Sequence, residues 1–237
     1  MTGLSAYPGG MMLDTLFTAI GYGLCHQLPE RSFFAGGFQL PVCARDTGIY
    51  LGFALGLLAL RLIHRDERPT ELPRWPVLAL MAAFIAAMGF DGVTSYLGLR
   101  ESTNDLRLIT GMLTGWALAS ITLPMVNGQL WRRAGSGRML SSAGRVASWL
   151  ILLVAAFVLA RWVMPLTGIV YPITVTAAIL LTFMSVNLIF VCLVPAFERR
   201  AERMRDAWPQ LLIALALTGM ELAAAAWLRS FTERLLG

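Results

Sequence analysis

The 237-residue sequence contains no lysine, two histidines, three cysteines and only 14% charged residues. A soluble domain carries roughly a quarter of its residues as charges, so a water-exposed globule is excluded. Three cysteines are too few for a disulfide scaffold. No phosphate-binding glycine loop, HExxH pair or serine nucleophile elbow occurs, which removes the commonest motif-bearing hydrolases and nucleotide enzymes. Repeats, low-complexity tracts and polar linkers are also missing, so residues 1–237 read as a single integral-membrane domain. All 19 basic residues are arginine, and the missing lysine reads as a bias of base composition.

What the chain has in abundance is apolar residues, 57% of the total. They fall into runs at about 11–27, 47–64, 75–98, 106–131, 146–164, 168–197 and 209–228. A bilayer core needs about 20 apolar residues per helix, so the expected fold is all-α: a polytopic transmembrane helix bundle of about seven segments, or six if the first is re-entrant. The first run is the weakest, with Asp14 near its start, and it lacks the flanks of a cleaved signal peptide. Gly48, Gly52 and Gly56 form one small-residue stripe, and Gly111, Gly115 and Ala119 form another. A spacing of four places each stripe on one helix face, where backbones can approach.

The formal charge of +5 does not point to nucleic acid, because the arginines lie in short clusters between apolar runs. Twelve of the nineteen occupy three alternate loops: Arg61, Arg65, Arg68 and Arg74; Arg132, Arg133, Arg138 and Arg145; Arg199, Arg200, Arg203 and Arg205. Basic residues in short loops stay cytoplasmic, so the expected location is the inner (cytoplasmic) membrane, with the other loops facing outward. Trp75, Trp131 and Trp208 then fall at inner ends and Trp162 and Trp227 at outer ends, as an aromatic belt.

Two outward stretches carry the chemistry. The first, CHQLPERSFFAGGFQLPVCARDTGIYLG over residues 25–52, holds Cys25, His26, Cys43 and Asp46. All four are competent ligands for zinc or iron. Cys43 and Asp46 are three apart at an expected helix start, where the positive end of the helix favours their anionic forms. Neighbouring residues diverge by about 100° on a helix, so Cys25 and His26 share an ion only if the helix ends between them; three protein ligands plus a water is the other arrangement. A Cys25–Cys43 disulfide is the competing structural reading, since an outward face permits one. Cys192 reads as a buried structural thiol.

The second stretch, DGVTSYLGLRESTNDLRLITG over residues 91–111, places an acid inside an apolar run. Such an acid needs a partner, and Arg107 or Arg100 would supply it. Asp91, Arg100 and Arg107 are the candidate catalytic residues, Asp91 as base or orienter and the arginines as clamps on negative charge. Arg45, Ser102 and Asn104 are the candidate substrate-binding residues for a phosphate, sulfate or carboxylate. Asn187 and Glu221 interrupt segments six and seven and are expected to face the bundle interior.

At CHQLPERSFF, PVCARDTGIYLG and GLRESTNDLRLITG the chain resembles a family of small prokaryotic multi-pass membrane proteins known as a domain of unknown function. The family pattern often has a third cysteine where this chain has Asp46. That departure disfavours a redox dithiol and leaves a metal site intact, because aspartate ligates zinc but forms no disulfide. No activity comes with the resemblance. The residues themselves leave two classes open: a metal-dependent membrane hydrolase or transferase acting on a lipid-linked or anionic substrate, and a transporter or subunit of a larger membrane complex, including a homo-oligomer.

Overall fold

The computed structural model describes residues 8–236, with side chains from residue 12 onward. Seven α-helices run in the order α1 (Pro8–Tyr22), α2 (Ala44–Ile63), α3 (Trp75–Tyr96), α4 (Asn104–Leu130), α5 (Ala143–Val158), α6 (Val170–Leu193) and α7 (Trp208–Leu236). Six of them, α2 to α7, are long and apolar enough to cross a bilayer. The described part of α1 covers 15 residues, about 22 Å at a rise of 1.5 Å per residue, and α1 is not among the spans found in the described residues. The molecule is an all-α polytopic bundle with only short strands in its loops.

The centre of the bundle is the α2–α4 pair, and the two small-residue stripes make it. A Cβ on Gly48 would stand 2.4 Å from Leu108 O, one on Gly52 2.5 Å from Met112 O, one on Gly111 2.0 Å from Arg45 O and one on Gly115 2.0 Å from Ile49 O. Only glycine permits that approach, and it leaves the two backbones in direct contact. α4 is the most deeply buried span, and α3 and α7 are the least. Trp116 and Trp149 fill the core beside Phe84, with the Trp149 indole N–H donating to Ser120 Oγ at 3.1 Å. α5 ends in a π turn, Leu159–Val163, whose Ala160 carbonyl accepts from the Tyr171 hydroxyl at 2.9 Å.

The connections sort to two ends of the bundle. At one end the α1–α2 loop, the α3–α4 loop, the α5–α6 turn and the last turns of α7 meet: Asn104 donates to Glu30 O, Arg161 pairs with Asp105 and Arg229 reaches the carbonyls of Tyr22 and Cys25. At the other end lie the arginine-rich loops. There β3 (Pro69–Glu71) pairs in parallel with β4 (Gly135–Arg138), Arg138 pairs with Glu71 and Arg145 with Glu67.

Four of the five belt tryptophans (Trp75, Trp162, Trp208 and Trp227) are exposed at the ends. Trp131 departs from the expectation: it is buried, donates to Asn127 Oδ1 and lies under the Arg68 guanidinium. Asn187 is buried as expected and donates to Thr218 Oγ1 and Glu221 Oε2. Glu221, expected inside, instead lies on the exposed flank of α7 and reaches inward only through that amide.

Candidate functional site

The loop between α1 and α2 is built to bring its two ends together. Gln27 takes a left-handed conformation, φ 54°, and turns the chain straight after Cys25 and His26. Its side-chain amide donates to Pro41 O at 2.7 Å and Thr18 O at 3.0 Å, while Gln39 donates to Gln27 O. A hairpin of β1 (Phe34–Ala35) and β2 (Phe38–Gln39) reverses at Gly36 and Gly37, both with positive φ, as a two-residue hairpin turn requires. Gly21 closes the loop: a Cβ there would stand 1.7 Å from Pro41 O.

Closure sets Cys43, the residue before the first turn of α2, against Cys25. The Cys43 amide donates to Cys25 Sγ at 3.3 Å, and Cys43 Sγ lies 3.3 Å from Asp46 Oδ2. Ligand atoms of Cys25, Cys43 and Asp46 all lie within 4.8 Å of one another, a spread that zinc bond lengths of about 2.0 to 2.3 Å can bridge. Both cysteines are free thiols. The hydrogen bond from the Cys43 side chain pulls the Cys25 thiol down to about 7, and the same contact, with burial, pushes Cys43 up.

Beside the cluster opens a cavity of about 410 Å³, lined by Cys25, His26, Arg31, Cys43, Arg45, Asp46, Arg107 and the α3 residues Gly92, Ser95 and Tyr96. His26 lines this cavity but is exposed and lies outside the ligand cluster. The α3–α4 residues divide. Asp91 is buried and filled by three donors: Arg45 at 2.5 Å, Ser102 at 2.8 Å and Arg100. Of the two partners expected for Asp91, Arg100 is in place and Arg107 is not, because Arg45 reaches across from α2 to the second carboxylate oxygen. Arg107 donates instead to Asn104 Oδ1 at 3.1 Å and turns toward the cavity. Asn104 holds the α1–α2 loop through Glu30 O.

Two contributors to the site, and one buried histidine away from it, escaped the sequence reading. Arg229 of α7 donates 2.6 Å bonds to Tyr22 O and Cys25 O, and its side chain is steadied by Glu233 and the Tyr22 ring. Arg31 enters the cavity lining from a 3-10 turn, Pro29–Arg31. At the opposite end His64 is buried after α2, accepts from Leu140 N–H on Nε2 and faces Glu67 through Nδ1. Composition gave no signal for Arg229 or His64, since each acts on a backbone group far along the chain.

Residues 25–121 match the model of a family described as a predicted membrane protein, DUF2085. An uncharacterized protein of Methanocaldococcus jannaschii is 37% identical over 110 residues, 46% of this chain and 68% of the relative. An uncharacterized protein of Methanothermobacter thermautotrophicus is 41% identical over 100 residues, 42% of this chain and 84% of the relative. No solved structure matches. The matched stretch opens at Cys25 and closes inside α4, so it takes in the ligand cluster and both arginine-bearing loops and leaves α5 to α7 outside. On these similarities the chain belongs to the DUF2085 family of predicted membrane proteins.

Proposed function

We propose that this chain is a metal-dependent membrane hydrolase or transferase acting on a lipid-linked or anionic substrate, with Cys25, Cys43 and Asp46 as the metal ligands. One observation carries the reading: two thiols and a carboxylate converge within 4.8 Å and face a cavity that also holds Arg31 and Arg107. Three protein ligands with an open position is the pattern of catalytic rather than structural zinc. A zinc or iron ion there supplies Lewis-acid chemistry and an activated water. His26 on the cavity wall would become a further ligand after a turn of its exposed side chain. Asp91 holds Arg45 in place and stiffens the cavity wall, and the arginines facing the cavity attract and orient negative charge. The arginine-rich end faces the cytoplasm in this reading, by the preference of basic loops, and the site opens on the outer side of the inner membrane.

Elemental analysis of the purified chain should find about one zinc or iron per molecule, and Cys43→Ser should remove most of it. A metal-free protein with a Cys25–Cys43 bridge by mass spectrometry would overturn this reading. It would favour the second one, a transporter or complex subunit in which the loop is a structural clasp; the proximity of the two free thiols is its support.

A further inference from the structure

Arginines outnumber carboxylates in the cavity: Arg31, Arg45 and Arg107 line it with Asp46, and Asp91 behind the wall is already taken by two guanidinium groups. Arg45 and Arg100 are committed to Asp91. Arg107 is only 9% exposed, yet it gives a single hydrogen bond, to the neutral Asn104 side chain, and has no carboxylate partner among the described residues. Arg31 lines the same cavity and likewise has no ion-pair partner among them. The remaining N–H groups of Arg107 have no protein partner among the described residues and are available to the cavity, where an anion would accept from them. The planar fork of arginine matches two oxygens of a tetrahedral oxyanion.

We propose that Arg107, with Arg31 at the mouth, is the binding site for a phosphate group. The inference deepens the metal reading, because it names the substrate class that would meet the Cys25, Cys43 and Asp46 cluster; binding of the anion itself needs only the arginines. The walls admit two sources of that phosphate. Leu24, Leu28 and Tyr96 are apolar, and the α3 wall is low at Gly92 and Ser95. α3 is among the least buried spans, so a lipid headgroup has a lateral route. A free phosphate has the aqueous one.

The test is calorimetric titration of the full chain in neutral detergent, stripped of metal by a chelator and again after zinc loading. The probes are inorganic phosphate and a short-chain phosphatidic acid. Wild type should bind at least one of them, Arg107→Gln should weaken it about tenfold, the step that corresponds to one strong contact, and Arg31→Gln should weaken it several-fold. Binding of phosphatidic acid alone assigns the site to a headgroup; binding of both, in competition, assigns it to free phosphate as well. Arg31 is exposed and forms no ion pair among the described residues, so Arg31→Gln carries the test if Arg107→Gln misfolds. Failure of both probes on wild type, or wild-type affinity in the folded variants, overturns the proposal. Zinc content measured on the same samples separates the two readings: zinc without anion binding removes only the phosphate site, and anion binding without zinc removes only the metal.

Discussion

Arg229 grips the carbonyl of Cys25 and not its sulfur, so it fixes the backbone from which the thiol projects and leaves the thiol free. Hydrogen bonds from a charged donor contribute about 1.5 to 3 kcal/mol each, less for a side chain that is one-quarter exposed. Arg229→Ala should therefore lower zinc affinity about tenfold in competition with a chromophoric chelator, and Arg229→Lys should restore part of it. His64 sets a second expectation. Burial holds its imidazole below 6.5, against the pull of Glu67 and together with the push of Arg145. The unfolded chain then takes up a proton more readily than the folded one, so the stability held by His64 is full above about pH 6.5 and is lost as pH falls through the folded value. Thermal unfolding between about pH 8 and pH 5 should show this loss, and His64→Gln should flatten it. The cysteine–aspartate cluster was legible from residue type and motif. Arg229 was not, because its partner is a backbone carbonyl 204 positions away, and His64 was hidden among the arginines of a basic loop.

The α2–α4 crossing is where element packing reaches the site, since Gly111 lies against the carbonyl of Arg45, the residue next to Asp46. Any side chain on these glycines must push the helices apart and carry Arg45 away from Asp91. Gly115→Ala, with its Cβ 2.0 Å from Ile49 O, should cost about 1 to 3 kcal/mol or more, read as a lower unfolding temperature in detergent. Gly89 in α3 meets nothing within 4 Å, so Gly89→Ala should leave stability unchanged or raise it by up to about 1 kcal/mol. The small-residue stripes were visible in the sequence at their spacing of four. Their mutual pairing was not, because spacing reveals a face and says nothing of which helix it meets. Segment ends were legible within about four residues for α2, α3, α4 and α6, whereas the fifth run ran on through the π turn after α5 and the last stopped at 228, short of the end of α7 at Leu236. The first run merged helix and loop, since Leu24 and Cys25 continue its apolar composition after α1 has ended at Tyr22.

For the molecule as a whole, the two ends differ in charge, and that difference is the basis for orientation. A cysteine at Arg138, exposed in the arginine-rich end, should be shielded from an impermeant thiol reagent in intact cells, whereas one at the exposed Phe34 should react; peptide mapping distinguishes both from Cys25 and Cys43. The reverse pattern would invert the topology and place the cavity on the cytoplasmic side. The bond between Arg229 and Cys25 also bears on biogenesis. Cys25 precedes Arg229 by 204 positions, so during synthesis the loop lacks this restraint until α2 to α6 and most of α7 have been made. A chain truncated within α6 should therefore hold Cys25 less firmly, which faster labelling of its thiol than in the full chain would reveal. Arg229 of α7 is thus a late restraint on the backbone of Cys25.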